Sequence, residues 1–339
     1  MPGHLVREHP SPNLRPRPSV DVVVPMFNES HGCLRFHQEL RAATATLPYH
    51  FRFIYIDDGS TDNTRALLLD LRGRDDTVIV LELSRNFGHQ AALTAGLDVA
   101  DADVIIMMDG DGQHPPALLT DMLRLYEHGF EVVQMQRIDS PGSISTFKRF
   151  TSRGFYRLLS RLGEIDIGSG VADFRLITRD VLHALRQLRE YHRFLRGMIP
   201  WLGFRRTVLP FEAPQRLSGS TKYTFKKMLR LAGDGLFSFS LFPLHLGIIL
   251  GGIFLLLGCT EIVYVAIFFL MGRSSMLVPG WSSLIVMLTV SSGVTMILLG
   301  FIGIYVGMIF QQVKGRPLYI IRSISPHPHT EERTPFHAG

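Results

Sequence analysis

The sequence predicts an α/β domain with a mostly parallel sheet, followed by two membrane-spanning helices. In the first half of the chain, short apolar runs alternate with segments of helical periodicity, as in a parallel sheet with helices on both faces. In the second half, two segments are almost uncharged, and each exceeds the roughly 20 apolar residues that cross a bilayer. Buried helices of a soluble protein are a poor alternative, because these segments are longer than ordinary helices and form a consecutive pair.

The alternation starts after residues 1–18, a Pro-rich leader that we expect to be disordered because it lacks the central apolar block of a signal peptide. We predict strands in "VDVVVPMFN", "FRFIYIDDGS", "TVIVLELS", "DVIIMMD" and "EVVQMQR". We predict helices in "ESHGCLRFHQELRAATATL", "TDNTRALLLDLRGR", "GHQAALTAGLDVA" and "ALLTDMLRLYEHG". Ligands of such sheets bind beyond the carboxyl ends of the strands, so we expect a site there.

The rest of the chain is organised around the membrane. We predict a soluble domain over residues 19–220, spans at 243–271 and 282–310, an external loop at 272–281 and a tail at 311–339. Residues 145–162 interleave apolar and basic side chains, which is typical of an amphipathic helix on a membrane surface; an ordinary domain helix with a solvated basic face is the alternative. A second basic amphipathic stretch, residues 221–240, leads into the first span.

The distribution of charge predicts orientation and partners. Basic residues flank both spans on the side of the termini, whereas the connector carries only Arg273, so we expect both chain ends in the cytoplasm and localisation in the inner membrane. The net charge of +5 comes from basic residues concentrated near the membrane, which favours an anionic lipid over nucleic acid as partner. Cys33 and Cys259 fall in different parts of the chain, so no disulfide is expected.

The sharpest functional feature is "IIMMDGDGQHPP", which places Asp109 and Asp111 directly after a buried strand. Side chains at i and i+2 of an extended chain point to the same side, so both carboxylates can approach one hard cation, with Gln113 beside them. Mg²⁺ or Mn²⁺ bridging a diphosphate is the natural occupant. A simple turn is the alternative for an isolated pair of this kind.

A second polar segment, "DDGSTDNT", follows the second predicted strand. Asp58 there can bind the base or ribose hydroxyls of a nucleotide, while the simpler interpretation is a polar turn in which Ser60, Thr61 or Asp62 caps the next helix. Both can hold together. The chain has neither a GxGxxG motif nor a P-loop, which excludes dinucleotide dehydrogenases and Walker-type ATPases.

In order along the chain, the segments "VVPMFNE", "IDDGSTDNT", "SRNFGHQAALTAGLD", "MMDGDGQHPP", "VADFRLITR", "HRFLRGMIPWLGF", "GSTKYTFKKMLRLAGDGLFSFS" and "GIYVGMIFQQVKGRPLYI" closely resemble the polyprenyl-phosphate glycosyltransferases. These are family-two enzymes of GT-A fold, akin to dolichyl-phosphate mannose synthase and bacterial undecaprenyl-phosphate sugar transferases. The resemblance implies inverting transfer of a sugar, with a UDP-sugar expected as donor, to undecaprenyl phosphate at the cytoplasmic membrane face. The lipid-linked product would serve cell-envelope glycan or lipid modification.

The resemblance also implies roles for individual residues. It assigns the donor nucleotide to Pro25, Phe27, Glu29, Asp57, Asp58, Arg85, Asn86 and Asp109. It assigns a divalent metal ion to Asp109, Asp111 and Gln113, and catalytic groups to Asp111, Asp173, Arg175 and Lys222. It assigns the phosphate of the lipid acceptor to Arg137, Lys148, Arg149, Ser152 and Arg153.

The charge of the acceptor limits what catalysis requires. A lipid monophosphate is largely dianionic at neutral pH and is already a nucleophile. We therefore expect Asp173 to orient Arg175 or the sugar, with general base as its alternative role. The family suggests a homotetramer, but Ile304 and Met308 stand where relatives often carry Glu and Arg, so an ion pair between helices or protomers would be missing.

Two other functions fit part of the sequence. A processive polysaccharide synthase shares the GT-A core, but it normally has a Gln-x-x-Arg-Trp element and more spans, which this chain lacks. A non-catalytic membrane scaffold with a degenerate transferase domain is the second alternative. The intact Asp109, Asp111 and Gln113 argue against it.

Overall fold

The computed structural model describes residues 17–138, 171–191, 193–212, 280–325 and part of 249–271. The strands are β1 (Ser19–Met26), β2 (His50–Asp57), β3 (Val78–Leu83), β4 (Val104–Met107), β5 (Val132–Ile138), β6 (Val171–Thr178), β7 (Arg206–Glu212) and β8 (Ile321–Ser325). The helices are α1 (Cys33–Thr44), α2 (Thr64–Arg74), α3 (His89–Val99), α4 (Leu119–Glu127), α5 (Arg179–Gln187), α6 (Leu195–Trp201) and α7 (Trp281–Val313), with a short 3₁₀ helix at Pro116–Leu118.

The strands form one sheet in the order β7-β5-β6-β4-β1-β2-β3-β8. The pairs β1 with β2, β1 with β4 and β2 with β3 are parallel, so their carboxyl ends meet at one edge of the sheet. Antiparallel pairing begins where β6 joins β4 on one side and where β8 joins β3 on the other. The predicted α/β class is confirmed, and the sheet is mixed, with the parallel arrangement at its centre.

Apolar cores cover both faces of the sheet. On one face, Phe36 of α1 and Met122 of α4 pack with alternate strand residues such as Val22 and Val24. On the other, Leu93 of α3 packs in a cluster with Val23 of β1, and α5 and α6 contribute further apolar residues. A strand buried on both sides needs apolar residues at consecutive positions, which explains the unbroken runs seen in the sequence.

The first two helices begin later than the sequence predicts. Helix α1 starts at Cys33 rather than near Glu29, and α2 starts at Thr64, so a loop follows both β1 and β2. The loop after β1 bonds to the start of α2: the Glu29 backbone N–H donates to Thr64 Oγ1 at 2.9 Å. A backbone N–H that donates to a side chain already has its hydrogen-bond partner and gains nothing from a helical one. Residues with helical propensity can therefore remain in these loops.

The C-terminal part contains a long apolar helix. Within the described residues, one helix is long and apolar enough to cross a membrane, Val290–Val313 in α7, with a mean hydropathy of 2.2. The predicted first span, 243–271, lies only partly within the described residues, so the prediction of two spans is not confirmed. The predicted leader and the amphipathic segments 145–162 and 221–240 lie outside the described residues, apart from the end of the leader.

Candidate active site

The loops after β1 and β2 form a connected surface at the carboxyl edge of the sheet. Asn28 adopts a positive φ of 55°, which non-glycine residues seldom do but Asn tolerates. Its Oδ1 accepts a hydrogen bond from the Thr61 backbone N–H at 2.8 Å, and its own backbone N–H donates to Ser60 Oγ at 3.1 Å. Side chains of one loop thus fix the backbone of the other.

The two acids at the end of β2 have different local tasks. Asp57 Oδ1 accepts from the Ser60 backbone N–H at 3.1 Å, which shapes its own loop. Asp58 accepts from the backbone N–H groups of Phe87 at 2.8 Å and Gly88 at 3.0 Å, which fixes the loop after β3. Burial raises the pKa of both carboxyl groups, partly offset by these hydrogen bonds. Asp58 therefore organises the neighbouring loop from a buried position.

A cavity of about 460 Å³ lies between these loops. Asp57 and Arg85, two of the predicted donor residues, line it together with Ser60. The Arg85 guanidinium lies 4.1 Å from the centre of the Phe87 ring, which limits its freedom. The structure thus brings two of the predicted nucleotide residues to one cavity.

The other predicted donor residues are distributed around the same edge. Pro25 is buried within β1, whereas Phe27 follows the strand and is 37% exposed. Glu29 is half-buried in the loop after β1, and Asn86 is exposed in the loop after β3. They surround the cavity-bearing edge without lining the cavity itself.

The loop after β4 carries Asp109 and Asp111. The backbone N–H of Asp109 donates to His114 Nδ1 at 2.8 Å, and Asp111 Oδ1 accepts from the Gln113 backbone N–H at 3.0 Å. Gly112 adopts a positive φ of 80°, which turns the chain sharply. The three predicted metal ligands therefore occupy one tight turn at the strand end.

A histidine that was not among the predicted site residues lies against this loop. His89 Nε2, at the start of α3, lies 2.6 Å from Asp109 Oδ1. Desolvation lowers the pKa of His89, but the Asp109 carboxylate outweighs it and raises that pKa to about 9. Desolvation raises the pKa of Asp109, but His89, His114 and Arg196 together outweigh it and hold that pKa well below its usual range. At neutral pH the two form an ion pair.

The donor set of this loop suits a hard divalent cation. Two carboxylates and one carboxamide supply oxygen atoms, which Mg²⁺ and Mn²⁺ prefer. The part of the chain that the structure describes contains no group of three or more His, Cys, Asp or Glu residues arranged to hold a metal. An ion bound by Asp109 and Asp111 would keep positions for phosphate oxygens, and it would have to compete with the His89 imidazolium for Asp109.

A second charged cluster surrounds Asp173 on β6. Arg196 binds its carboxylate through two contacts, Nε to Oδ1 at 3.0 Å and Nη2 to Oδ2 at 2.8 Å. Gln90 Nε2 donates to Oδ2 at 3.3 Å, and His89 Nδ1 lies 3.9 Å from the same atom. Desolvation raises the pKa of Asp173, but Arg196 outweighs it and lowers the pKa below its usual range. Because Asp173 is an anion already held by cations, it is poorly suited to remove a proton.

Arg175 supports this cluster from inside the domain. It is fully buried, and desolvation lowers the pKa of its guanidinium to about 10 although Asp173 partly offsets the effect. Its Nη1 donates to the Leu195 carbonyl at 3.0 Å, and its Nη2 lies 3.4 Å from Asp173 Oδ1. Arg175 therefore fastens the start of α6, the helix that carries Arg196.

The predicted acceptor residues are only partly placed. Arg137 is exposed near the carboxyl end of β5. Lys148, Arg149, Ser152, Arg153 and Lys222 lie outside the described residues.

The structure also brings to the site three residues that were not predicted from the sequence, namely His89, Gln90 and Arg196. The first two stand in "SRNFGHQ" and the third in "HRFLRG", so the quoted segments already contained them. A signal for His89 was its position at the start of a helix that follows a strand of the parallel sheet, which places it at the ligand edge. No spacing in the sequence could pair Arg196 with Asp173.

Comparisons with known proteins show which family this chain resembles. The model described as glycosyl transferase family 2 matches residues 21–186. An uncharacterized glycosyltransferase of Bacillus subtilis, YkcC, is 38% identical over 302 residues, which are 89% of this chain and 92% of the relative. The bactoprenol glucosyl transferase of Shigella phage SfV is 33% identical over 308 residues, covering 90% of this chain and 98% of the relative.

Among solved structures, glucosyl-3-phosphoglycerate synthase from Mycobacterium tuberculosis, crystallised with Mn²⁺ and UDP, aligns over 65% of this chain and 78% of its own. The TM-score is 0.46 and the sequence identity is 16%. The full-length relatives are much more similar, and they confirm the relationship that the motifs predict. With a GT-A-like α/β fold and acidic loops at the carboxyl edge of its sheet, the chain belongs to glycosyl transferase family 2.

Proposed function

We propose that this glycosyltransferase moves a sugar from a nucleotide diphosphate donor, a UDP-sugar, to a polyprenyl phosphate in the membrane. Undecaprenyl phosphate is the proposed acceptor, and the product is a lipid-linked sugar for the cell envelope. One observation carries the proposal. The same chain has a cavity and acidic loops at the edge of its sheet and a helix that is apolar enough to cross a membrane. The relatives named bactoprenol glucosyl transferase, similar over nine tenths of the chain, support the lipid acceptor.

The donor nucleotide would occupy the cavity at the ends of β2 and β3. Asp57 and Ser60 offer an acceptor and a hydroxyl to the base and ribose, while Arg85 adds a cation. Hydrogen bonds between protein groups hold these loops together, so little conformational entropy would be lost on binding. The diphosphate would then extend toward the loop after β4, where Asp109 and Asp111 lie.

Asp109, Asp111 and Gln113 would hold Mg²⁺ or Mn²⁺ at the diphosphate, where the ion would neutralise the negative charge of the leaving group. His89 would balance Asp109 when no ion is present. Asp173 would keep Arg196 in place beside the same region. These groups set the charge around the departing nucleoside diphosphate.

The reaction itself needs no strong base. A phosphate oxygen of the lipid would form a bond to the anomeric carbon, and the bond to the nucleotide diphosphate would break, with inversion at that carbon. Because the lipid monophosphate is already largely ionised, the arginines have to bring two anions together. Arg137, together with the basic segment that contains Lys148, Arg149, Ser152 and Arg153, would receive the attacking phosphate.

We place the reaction at the cytoplasmic face of the inner membrane, with spans at 243–271 and 282–310. In this arrangement both chain ends and the sheet lie in the cytoplasm. The charge asymmetry around the spans supports this orientation.

One assay tests the proposal. The full chain, purified in detergent, is incubated with undecaprenyl phosphate, Mg²⁺ or Mn²⁺, and a panel of UDP-sugars and GDP-sugars. We expect one UDP-sugar to give a lipid-linked sugar whose anomeric configuration is opposite to that of the donor. Failure of every donor with a folded, monodisperse protein would overturn the proposal, and unchanged cellular function in Asp109→Asn would favour the scaffold.

A further inference from the structure

The last residues of α7 and the segment that follows it run back along the transferase domain. We call residues 312–325 the C-terminal arm. The Gln312 side chain binds the loop before α6 through two contacts, at 2.7 Å to a backbone N–H and at 2.8 Å to a carbonyl. The Tyr319 hydroxyl donates to Asp98 Oδ2 of α3 at 2.7 Å. Side-chain contacts thus fasten the arm before its strand begins.

Strand β8 of the arm then pairs with β3, the strand whose carboxyl end borders the cavity. Glu82 is paired with Ser323, and the next residue, Leu83, is paired with Ile321. Arg322 is therefore the extra residue of a β-bulge. Bulges redirect a side chain and often occur beside active sites.

The redirected Arg322 side chain reaches the cavity described above. Its Nη1 lies 3.1 Å from Glu82 Oε1, and its Nη2 donates to the Ser84 carbonyl at 3.1 Å. Arg322 lines the cavity together with Asp57 and Arg85. A residue from beyond the apolar helix thus shares a cavity with residues from the first hundred positions of the chain.

Neutralising Glu82 does not by itself explain Arg322. The buried Glu82 carboxylate already pairs with Arg65 at 2.9 Å and accepts from Ser323 Oγ at 2.9 Å. The Arg322 side chain is 60% exposed, and a guanidinium has five N–H donors on a rigid plane, of which these contacts use two. Within the part of the chain that the structure describes, its plane and remaining donors are available to a ligand in the cavity.

We infer that the C-terminal arm forms a wall of the donor site and that Arg322 positions the base and ribose of the nucleotide. The inference rests on the proposed nucleotide-sugar donor. A planar guanidinium stacks on flat rings and donates to carbonyl and hydroxyl oxygens, which a nucleoside presents. A nucleotide that touches Arg322 binds only the docked arm, so nucleotide binding and docking of the arm stabilise each other.

Substitutions in the full chain test the role of Arg322. We expect Arg322→Ala to raise the KM for the sugar nucleotide about tenfold, a loss of about 1.4 kcal/mol in binding. The KM for the polyprenyl phosphate stays unchanged. Arg322→Lys keeps the positive charge but lacks the planar guanidinium and its paired N–H donors. We therefore expect its KM for the sugar nucleotide to lie between those of the wild type and Arg322→Ala.

Two matched variants separate binding from structure. Arg316→Ala removes the same charge from an exposed position of the arm that does not line the cavity. Ser323→Ala removes a contact to Glu82 from the same strand, also without lining the cavity. Neither should change the donor KM. An equal rise in Ser323→Ala would mean that Arg322 acts only through Glu82, and the inference would be wrong.

Hydrogen exchange tests the coupling without turnover. UDP and GDP, each with Mn²⁺, are added to the wild-type chain, and exchange is followed in Ile321–Ser325. We expect UDP at 100 times its Kd to slow exchange of these amides by up to about 100-fold, as linkage requires, and Arg322→Ala to lose most of this protection. Exchange that is indifferent to both nucleotides overturns the inference. If the nucleotide protects these amides but no sugar is transferred to the lipid, the inference about Arg322 holds and the proposed acceptor is wrong.

Discussion

The two sides of the site are held together in different ways. The loops after β1 and β2 are joined mainly by hydrogen bonds between side chains and backbone, such as those of Asn28. The region around Asp109 and Asp173 is held by ion pairs with His89 and Arg196. Neutral hydrogen bonds can persist when a ligand binds, whereas ion pairs must be rearranged when phosphate or a cation enters. We therefore expect the proposed nucleotide side to keep its shape when a ligand binds and the charges of the proposed diphosphate side to redistribute.

The largest effect is expected from the charged side. Asp109→Asn keeps the shape but removes a carboxylate from the proposed cation and diphosphate site, so we expect the rate of sugar transfer to fall by roughly two to three orders of magnitude. The rate of sugar transfer to undecaprenyl phosphate, measured for the wild type and the variant, tests this expectation. Asp121→Asn, at an acid on α4 whose side chain is 49% exposed, is the control and should retain full activity. If the rate of sugar transfer falls less than tenfold in Asp109→Asn, Asp109 has no direct role in the reaction.

The ion pair of Arg196 predicts a loss of stability. Arg196→Met leaves the buried Asp173 with weaker partners, and we expect the free energy of unfolding to fall by about 2 kcal/mol. Thermal unfolding of the purified chain measures this. Adding Asp173→Asn should recover part of the loss, because no unpaired charge then remains buried. If the double variant is less stable than Arg196→Met, the ion-pair explanation is wrong.

The same pair gives a pH dependence whose sign can be worked out. The pKa of Asp173 is lowered in the folded state, so its contribution to stability is present above the unfolded pKa, roughly 3.9, and is lost as pH falls through the lower folded value. The stability difference between wild type and Arg196→Met should therefore shrink below about pH 4. Unfolding curves at pH 7, 5 and 3.5 test this, and a difference that grows on acidification would contradict it.

A smaller effect is expected at His89. His89→Gln removes the cation that competes for Asp109, so we expect the Mn²⁺ concentration for half-maximal binding to fall by about threefold to tenfold. Electron paramagnetic resonance of free Mn²⁺ measures binding without turnover. His128→Gln, an exposed histidine after α4, should leave binding unchanged. Weaker Mn²⁺ binding in His89→Gln would show that the imidazole supports the ion instead.

A loss of stability is also expected on the hydrogen-bonded side. Asn28→Ala removes the Oδ1 contacts to the Thr61 backbone N–H and hydroxyl and leaves a non-glycine residue at positive φ, which should lower the free energy of unfolding by about 1–2 kcal/mol. Asn28→Gly should be less harmful, because glycine adopts this conformation freely. Thermal unfolding compares the two. Equal losses would show that the hydrogen bonds matter and the backbone conformation does not.

Much of the fold followed from local patterns, because strands buried on both faces and amphipathic helices leave clear periodicities. The mostly parallel character of the sheet and the placement of Asp57 and Asp109 at one edge could be predicted for this reason. Partners distant in sequence could not. Arg196 meets Asp173 only because Arg175 fastens the start of α6, and no spacing encodes that contact. Strand β8 was missed because a short, mostly exposed strand has no apolar run and is defined by its pairing with β3.

The pairing of β8 with β3 also has a consequence for biosynthesis. Glu82 and Arg322 are 240 positions apart, and the apolar helix lies between them. Translation proceeds at roughly 5–20 residues per second, so β3 remains an unpaired edge strand for on the order of ten seconds or more before β8 is synthesised. An unpaired edge is a template for aggregation, so chaperones would have to shield it during that interval. The arm reaches β3 only after the apolar helix has been synthesised, so a chain cut short in that helix would leave the ribosome with an incomplete cavity.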